Sequence, residues 1–203
     1  MRWSIVVPVK SAALGKTRLD PREDRPALAR AVALDTIAAA AAADSVERVL
    51  VVSGDPLDAR VLPPGVSVLA DPGRGLLAAI RAGLAHPGST PAVGEGIAVL
   101  LGDLPALRPA ELDAALAAAA RHPLAMVRDA EGTGTTLLTA RGVRLEPRFG
   151  PGSAAAHAAL GHVAVDETAG PGLRRDLDTA EDLAALVGLG VGPATAAVLA
   201  PAR

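Results

Sequence analysis

Two groups of side chains stand out for the chemistry their types and spacing permit. The segment Val7-Pro8-Val9-Lys10-Ser11-Ala12-Ala13-Leu14-Gly15-Lys16-Thr17-Arg18-Leu19 carries three cations, Lys10, Lys16 and Arg18, within nine residues, just after an apolar run that reads as a strand. That much positive charge at a strand's carboxyl end suits a triphosphate, while the plainer reading is a solvated basic loop. Gly15-Lys16-Thr17 copies the end of the phosphate-binding pattern G-x-x-x-x-G-K-[ST], but the first glycine of that pattern falls on Lys10, so the Walker assignment fails.

The second group is acidic. In Leu100-Leu101-Gly102-Asp103-Leu104-Pro105 a buried strand is expected to end in a carboxylate, with a glycine before it that lets a ligand approach closely. In Arg174-Arg175-Asp176-Leu177-Asp178-Thr179 two aspartates stand at i and i+2, which on an extended segment turns both the same way. Together Asp103, Asp176 and Asp178 form a candidate magnesium site. A structural role competes at each: Asp103 as a turn former, Asp178 as the N-cap of the helix expected to begin near Thr179.

Between these carboxylates lie Glu131-Gly132-Thr133-Gly134-Thr135-Thr136, entering a strand, and Arg148-Phe149-Gly150-Pro151-Gly152-Ser153, entering a helix. Hydroxyls together with free backbone N–H groups at a helix start suit a phosphate or carboxylate, and a tight turn followed by a serine cap is the bland alternative. The four histidines, His86, His122, His157 and His162, show no metal-ligand spacing and read as surface or helix-end residues.

These residues need elements to position them. Val-, Ile- and Leu-rich runs alternate with Ala-rich helical stretches, the pattern of a mainly parallel sheet with helices on both faces. Strands are predicted at Ser4–Val9, Arg48–Ser53, Val66–Ala70, Ile97–Gly102, Leu124–Arg128 and Thr135–Thr139, with a short one near Val163. Helices are predicted at Pro26–Ala43, Gly75–Ala85, Pro109–Arg121, Ser153–Leu160 and Thr179–Val187. In open α/β sheets ligands bind beyond the carboxyl ends of the strands, so the polar and glycine residues at those ends are the ones to interrogate.

A length of 203 residues fits one domain, residues 1–203, with a substantial core. With one Trp, one Phe and no Tyr, that core must be built from Ala, Leu and Val, and a platform of aromatic rings for stacking bases is excluded. A net charge of −2 supplies no general field for a nucleic-acid partner. The absence of cysteine removes thiolate chemistry and fits a cytoplasmic location. The apolar run ending at Lys10 lacks a signal-peptide cleavage site and is too short to span a membrane.

In order along the chain, VPVKSAALGKTRL, LLGDLPAL, EGTGTTLL, RFGPGS, PGLRRDLDT and LGVGPATA resemble the guanylyltransferases that act on phosphoenolpyruvate or 2-phospho-L-lactate in making the deazaflavin coenzyme F-420. The resemblance implies a single-domain fold like that of the nucleotide-diphospho-sugar transferases, GTP as co-substrate, magnesium, and a phosphorylated three-carbon acid, phosphoenolpyruvate first among them. It implies acid contacts at Thr135, Gly150 and Ser153 and metal ligands at Asp103, Asp176 and Asp178. Lys10, Lys16 and Arg18 would face the nucleotide phosphates, with Lys16, Arg18 and Asp103 carrying the catalysis. A downstream deazaflavin transferase would take over the product, and a homodimer is compatible with the family. The chain departs from the family pattern twice, with Leu76-Leu77 where Leu-Asn is common and Gly152 where an Asp often precedes the serine.

Two rivals remain. Sugar-phosphate nucleotidyltransferases share the fold and the metal logic but carry a G-x-G-T-R type loop, of which Gly15-Lys16-Thr17-Arg18 is a partial echo. The C-terminal Gly188-Leu189-Gly190-Val191-Gly192-Pro193-Ala194-Thr195 looks like a helix-hairpin-helix DNA-binding hairpin, yet residues 182–202 hold no Lys or Arg to neutralise phosphates. A glycine-broken terminal helix packed on the domain is the preferred reading.

Overall fold

The computed structural model describes residues 1–10, 25–57 and 59–200. Its strands are β1 (Trp3–Val9), β2 (Val46–Ser53), β3 (Val66–Ala70), β4 (Gly96–Leu100), β5 (Leu124–Arg128), β6 (Thr135–Arg141) and β7 (Val163–Ala164). Its helices are α1 (Arg25–Ala41), α2 (Leu76–Ala85), α3 (Pro109–Ala119), α4 (Ser153–Ala159), α5 (Pro171–Arg174), α6 (Ala180–Leu189) and α7 (Pro193–Leu199).

The strands form one seven-stranded sheet in the order β3-β2-β1-β4-β6-β5-β7. β1 pairs parallel with β2 and β4, β2 with β3, and β5 with β7, while β6 runs antiparallel to both β4 and β5. The expected mixed, mainly parallel sheet is therefore present, with β6 as the strand that makes it mixed. From β1 the chain builds outward through β2 and β3, then returns to add β4 on β1's other side. That reversal opens a crevice beyond the carboxyl ends of β1 and β4.

β1 shows why a continuous apolar run was needed. Trp3, Ile5 and Val7 point into a cluster with Ile37 and Ala40 of α1 and Leu112, Ala115 and Leu116 of α3. Val6, pointing the other way, joins Ala79 and Ile80 of α2 together with Phe149. A strand covered on both faces has no solvent side to make polar. The lone tryptophan fits because Gly96 on the neighbouring strand leaves it room: a Cβ there would come within 2.3 Å of the indole ring.

A third apolar cluster, Leu28, Val32, Ala106, Leu177 and Leu186, packs α6 onto α1. The glycine-broken terminal helix is α6 and α7, separated at Gly190, whose φ of 91° suits glycine alone. Buried Asp35 of α1 accepts the backbone N–H groups of Ala194 at 3.0 Å and Thr195 at 2.7 Å, capping α7. Gly192 donates to the Pro105 carbonyl at 2.8 Å. Of this hairpin's amides, those of Gly190, Gly192, Ala194 and Thr195 already have partners within the fold.

Candidate active site

The crevice at the β1–β4 reversal holds a cavity of about 570 Å³. Lys10 from the end of β1, Asp103 after β4, Thr135 at the start of β6, Gly150 and Ser153 before and in α4, and Asp176 and Asp178 after α5 all line it. β6 runs against its neighbours, so its first residue, rather than its last, meets the strand ends. Lys16 and Arg18 lie outside the described residues. Among the described residues no helix is long and apolar enough to cross a membrane.

The acidic cluster is assembled by backbone pairing. Leu177 donates its N–H to the Asp103 carbonyl at 3.0 Å, which lays the 176–178 segment beside the end of β4. Leu177 itself is fully buried, so the aspartates flanking it both turn to the opposite side, the cavity. On the Asp103 side, Leu104 donates its N–H to Thr36 Oγ1 of α1 at 3.0 Å. One carboxylate oxygen from each of Asp103, Asp176 and Asp178 lies within 4.8 Å of the others. Burial first, then the like charges of Asp103, Asp178 and Asp129, push the Asp176 carboxyl up to about 7.

Such crowding of hard oxygen donors fits a divalent cation, because the repulsion it causes is relieved by positive charge among the oxygens. The N-cap role proposed for Asp178 is corrected. Thr179 caps α6: its Oγ1 accepts the Asp182 N–H at 3.2 Å, and Asp182 Oδ2 accepts the Thr179 N–H at 2.8 Å. A β-region threonine followed at N3 by a carboxylate satisfies two helix-end amides reciprocally, leaving Asp178 free for the cluster.

A second wall is built from hydroxyls. Ser153 Oγ stands 3.4 Å from Thr135 Oγ1, and both residues are buried. The expected free N–H groups at the start of α4 are also corrected: Ser153 donates to the Gly150 carbonyl at 3.0 Å and Ala154 to that of Thr133 at 3.1 Å. The side-chain hydroxyls, not these amides, are what this wall offers a ligand. Gly150 and Gly152 adopt φ of 139° and 71°, values that exclude most side chains, so an aspartate in place of Gly152 would be strained here. At the other departure, Leu76 lines the cavity and Leu77 packs against the α2-side core, so an apolar contact replaces an amide.

Two residues were missed. Asp129, at the end of β5, accepts the N–H groups of Thr133 at 2.9 Å and Gly134 at 2.6 Å and so shapes the turn that presents Thr135. Its signal was an aspartate just before a glycine-rich turn. His157 is not a surface residue: it is fully buried, and His162 is buried too, at 5% exposure. Its Nδ1 lies 2.9 Å from Thr135 Oγ1, and its Nε2 accepts the Arg148 N–H at 2.9 Å. No short-range spacing announces it, because its partners lie 22 and 9 residues away.

A sheet of this order, with carboxylates and Lys10 around a crevice at its reversal point, is the arrangement of an α/β nucleotidyltransferase, and the family match agrees. Residues 25–170 match the MobA-like NTP transferase domain. The fold is similar to that of a 4-diphosphocytidyl-2C-methyl-D-erythritol synthase, with a TM-score of 0.61 and 15% identity over 93% of this chain and 98% of that one. It is similar, too, to a Desulfovibrio desulfuricans G20 protein assigned to the nucleotide-diphospho-sugar transferases, with a TM-score of 0.63 and 18% identity over 92% of this chain and 87% of the other.

Nearer relatives narrow the class. The chain is 50% identical to the phosphoenolpyruvate guanylyltransferase of Streptomyces scabiei, over 98% of this chain and 97% of the relative. It is likewise 50% identical to the protein of that name from Geodermatophilus obscurus, over 97% and 94%. The chain belongs to the phosphoenolpyruvate guanylyltransferase family.

Proposed function

We propose that residues 1–203 act as a single nucleotidyltransferase domain that transfers GMP from GTP to phosphoenolpyruvate, giving enolpyruvyl-diphospho-guanosine and pyrophosphate. The observation that carries this reading is the lining of one cavity: a wall of hydroxyls from Thr135 and Ser153, a second of the Asp103, Asp176 and Asp178 carboxylates, and Lys10 at the β1 end. A phosphorylated acid needs the first wall, and a nucleoside triphosphate with its cation needs the second.

In the reaction a phosphate oxygen of the acid attacks the α-phosphorus of GTP. A new P–O–P bridge forms, the bond from the α-phosphorus to the leaving oxygen breaks, and pyrophosphate departs with the electron pair. The attacking phosphate is already ionised, so the residues need not remove a proton. Their work is positioning and charge neutralisation. Asp103, Asp176 and Asp178 would hold magnesium, which when bound withdraws negative charge from the phosphoryl oxygens. Lys10, with Lys16 and Arg18, would face the triphosphate. Thr135 and Ser153 would hold the acid, with the backbone at Gly150 beside it.

The product is an activated three-carbon acid, the form a downstream deazaflavin transferase of coenzyme F-420 synthesis would accept, in the cytoplasm. The test is pyrophosphate release from the purified protein with magnesium. GTP would be supplied with phosphoenolpyruvate, 2-phospho-L-lactate, 3-phosphoglycerate or glucose 1-phosphate, and ATP would serve as the control donor. Release with GTP and phosphoenolpyruvate is expected. Release only with glucose 1-phosphate would transfer the chain to the sugar-phosphate enzymes, and silence with all four acceptors would sink the assignment.

A further inference from the structure

Against the hydroxyl wall packs a buried side chain that the reaction above leaves unused. His157 sits four residues after Ser153 in α4 and ties three segments together: its own helix, the loop at Arg148 and the start of β6 at Thr135. Phe149 meets its ring edge-on at 5.1 Å between centroids, and His162 packs against it at 5.5 Å.

The hydrogen bonds determine which nitrogen carries the proton. A backbone amide can only donate, so Nε2, which receives the Arg148 N–H, must present a lone pair. Burial, with His162 and Arg148 as the nearby charges, lowers the pKa of the ring to about 4, which keeps it neutral. A neutral imidazole with a bare Nε2 has its proton on Nδ1, and that proton points at Thr135 Oγ1, 2.9 Å away. A hydroxyl has one proton and two lone pairs. Thr135 Oγ1 gives one lone pair to His157, and Ser153 Oγ, at 3.4 Å, stands where it can donate to the other. The threonine's own proton is left for a partner in the cavity it lines.

We infer that His157 is a positioning residue that holds the Thr135 hydroxyl as a donor toward the cavity, so that this place takes an anionic oxygen of the acid substrate and turns away a donor group. The inference rests on the proposed function for the identity of that substrate. Its hydrogen-bond direction does not depend on it, and the two can fail separately.

Long-range proton–nitrogen NMR of the ligand-free protein reads the direction first. His157 is expected as the Nδ1–H tautomer from about pH 6 to 8, the range over which an ordinary histidine titrates. An Nε2–H tautomer would overturn the inference whatever the enzyme's substrate. Steady-state kinetics then read the consequence. His157→Phe, which keeps a planar ring and removes both nitrogens, is expected to raise the KM for phosphoenolpyruvate about tenfold, the effect of a lost hydrogen bond to a charged group, with the KM for GTP unchanged. In a Thr135→Val background the same substitution should change the KM for phosphoenolpyruvate less than about threefold, since the two residues act as one unit.

His157→Asn can place an amide N–H near the Nδ1 position and should recover part of the loss. His157→Gln, whose longer side chain reaches toward the Nε2 position, should not. If the phenylalanine variant does not fold, the contrast between Asn and Gln decides. An unchanged KM for phosphoenolpyruvate, an equal loss in the Thr135→Val background, or better recovery with Gln than with Asn would each overturn the positioning role. Wild-type protein that turns over no acid while showing the Nδ1–H tautomer would instead overturn the proposed function alone.

Discussion

At the residue scale the site is an arrangement of mutually unfavourable charges. Asp176 feels burial most and then Asp103, Asp178 and Asp129, which is why its carboxyl titrates near 7 rather than 3.8. Asp103→Asn removes one of those like charges while keeping the side chain's size. The cation-free variant is therefore expected to melt at or above the wild-type temperature while kcat falls at least about a hundredfold, some 2.7 kcal/mol of transition-state stabilisation. Thermal melts in EDTA beside turnover in saturating magnesium measure both, and near-wild-type turnover of the folded variant would remove Asp103 from the mechanism. The carboxylates were legible in the sequence because an i, i+2 pair on an extended segment is a local pattern. The Thr135 and Ser153 hydroxyls were legible from their place at a strand start and a helix start. His157 was not, because it is defined by an amide and a hydroxyl that only tertiary packing brings to it.

At the element scale the site depends on how closely β1 and β4 end together. Gly102 is the hinge of that approach: a Cβ there would lie 2.7 Å from the Pro8 carbonyl oxygen and 3.1 Å from Val9 Cγ2. The first of these is backbone, held in a parallel ladder through Val6 and Val99, and cannot swing aside. Gly102→Ala is expected to destabilise the protein by about 1–3 kcal/mol, as overpacking does, and to lower activity beyond what the lost stability explains, because Asp103 must move with the strand end. Urea unfolding paired with turnover would test this, and a variant with full activity would show that the strand ends can part without cost. Thr179→Ala should cost α6 about 1 kcal/mol by loss of its cap, whereas Asp178→Ala should not, and the same unfolding measurement separates them. The strands were legible to within about two residues from their apolar runs. The four-residue α5 and the seven-residue α7 were not assigned as separate helices, since each is too short to show a helical period and is held by contacts from elsewhere, α7 by Asp35.

At the scale of the whole molecule, two buried groups set opposing slopes on stability against pH. His157 titrates near 4 when folded and 6.5 when free, so between those values the unfolded chain holds the extra proton and stability rises with pH, by on the order of 3 kcal/mol across the window. His162, also lowered by burial, adds to that slope. Asp176 does the reverse: its folded value of about 7 lies above the free 3.8, so the folded protein holds the extra proton and stability falls as pH rises through the same range. Without a cation the Asp176 slope offsets that of His157, and from about pH 4.5 to 6.5 stability should rise only by what His162 adds. Magnesium held by the three aspartates as proposed would favour ionised Asp176, so its binding would displace that proton and strengthen as pH approaches 7. With saturating magnesium the histidine slope is therefore expected to emerge. Urea midpoints measured over this range in EDTA and in magnesium should diverge as pH rises. The rise in magnesium should flatten in His157→Phe, and the divergence should shrink in Asp176→Asn, where no proton competes at that position. Parallel curves for the wild-type protein would mean that proton and cation do not share the cluster, and the charge crowding at Asp176 would then have no part in holding the metal.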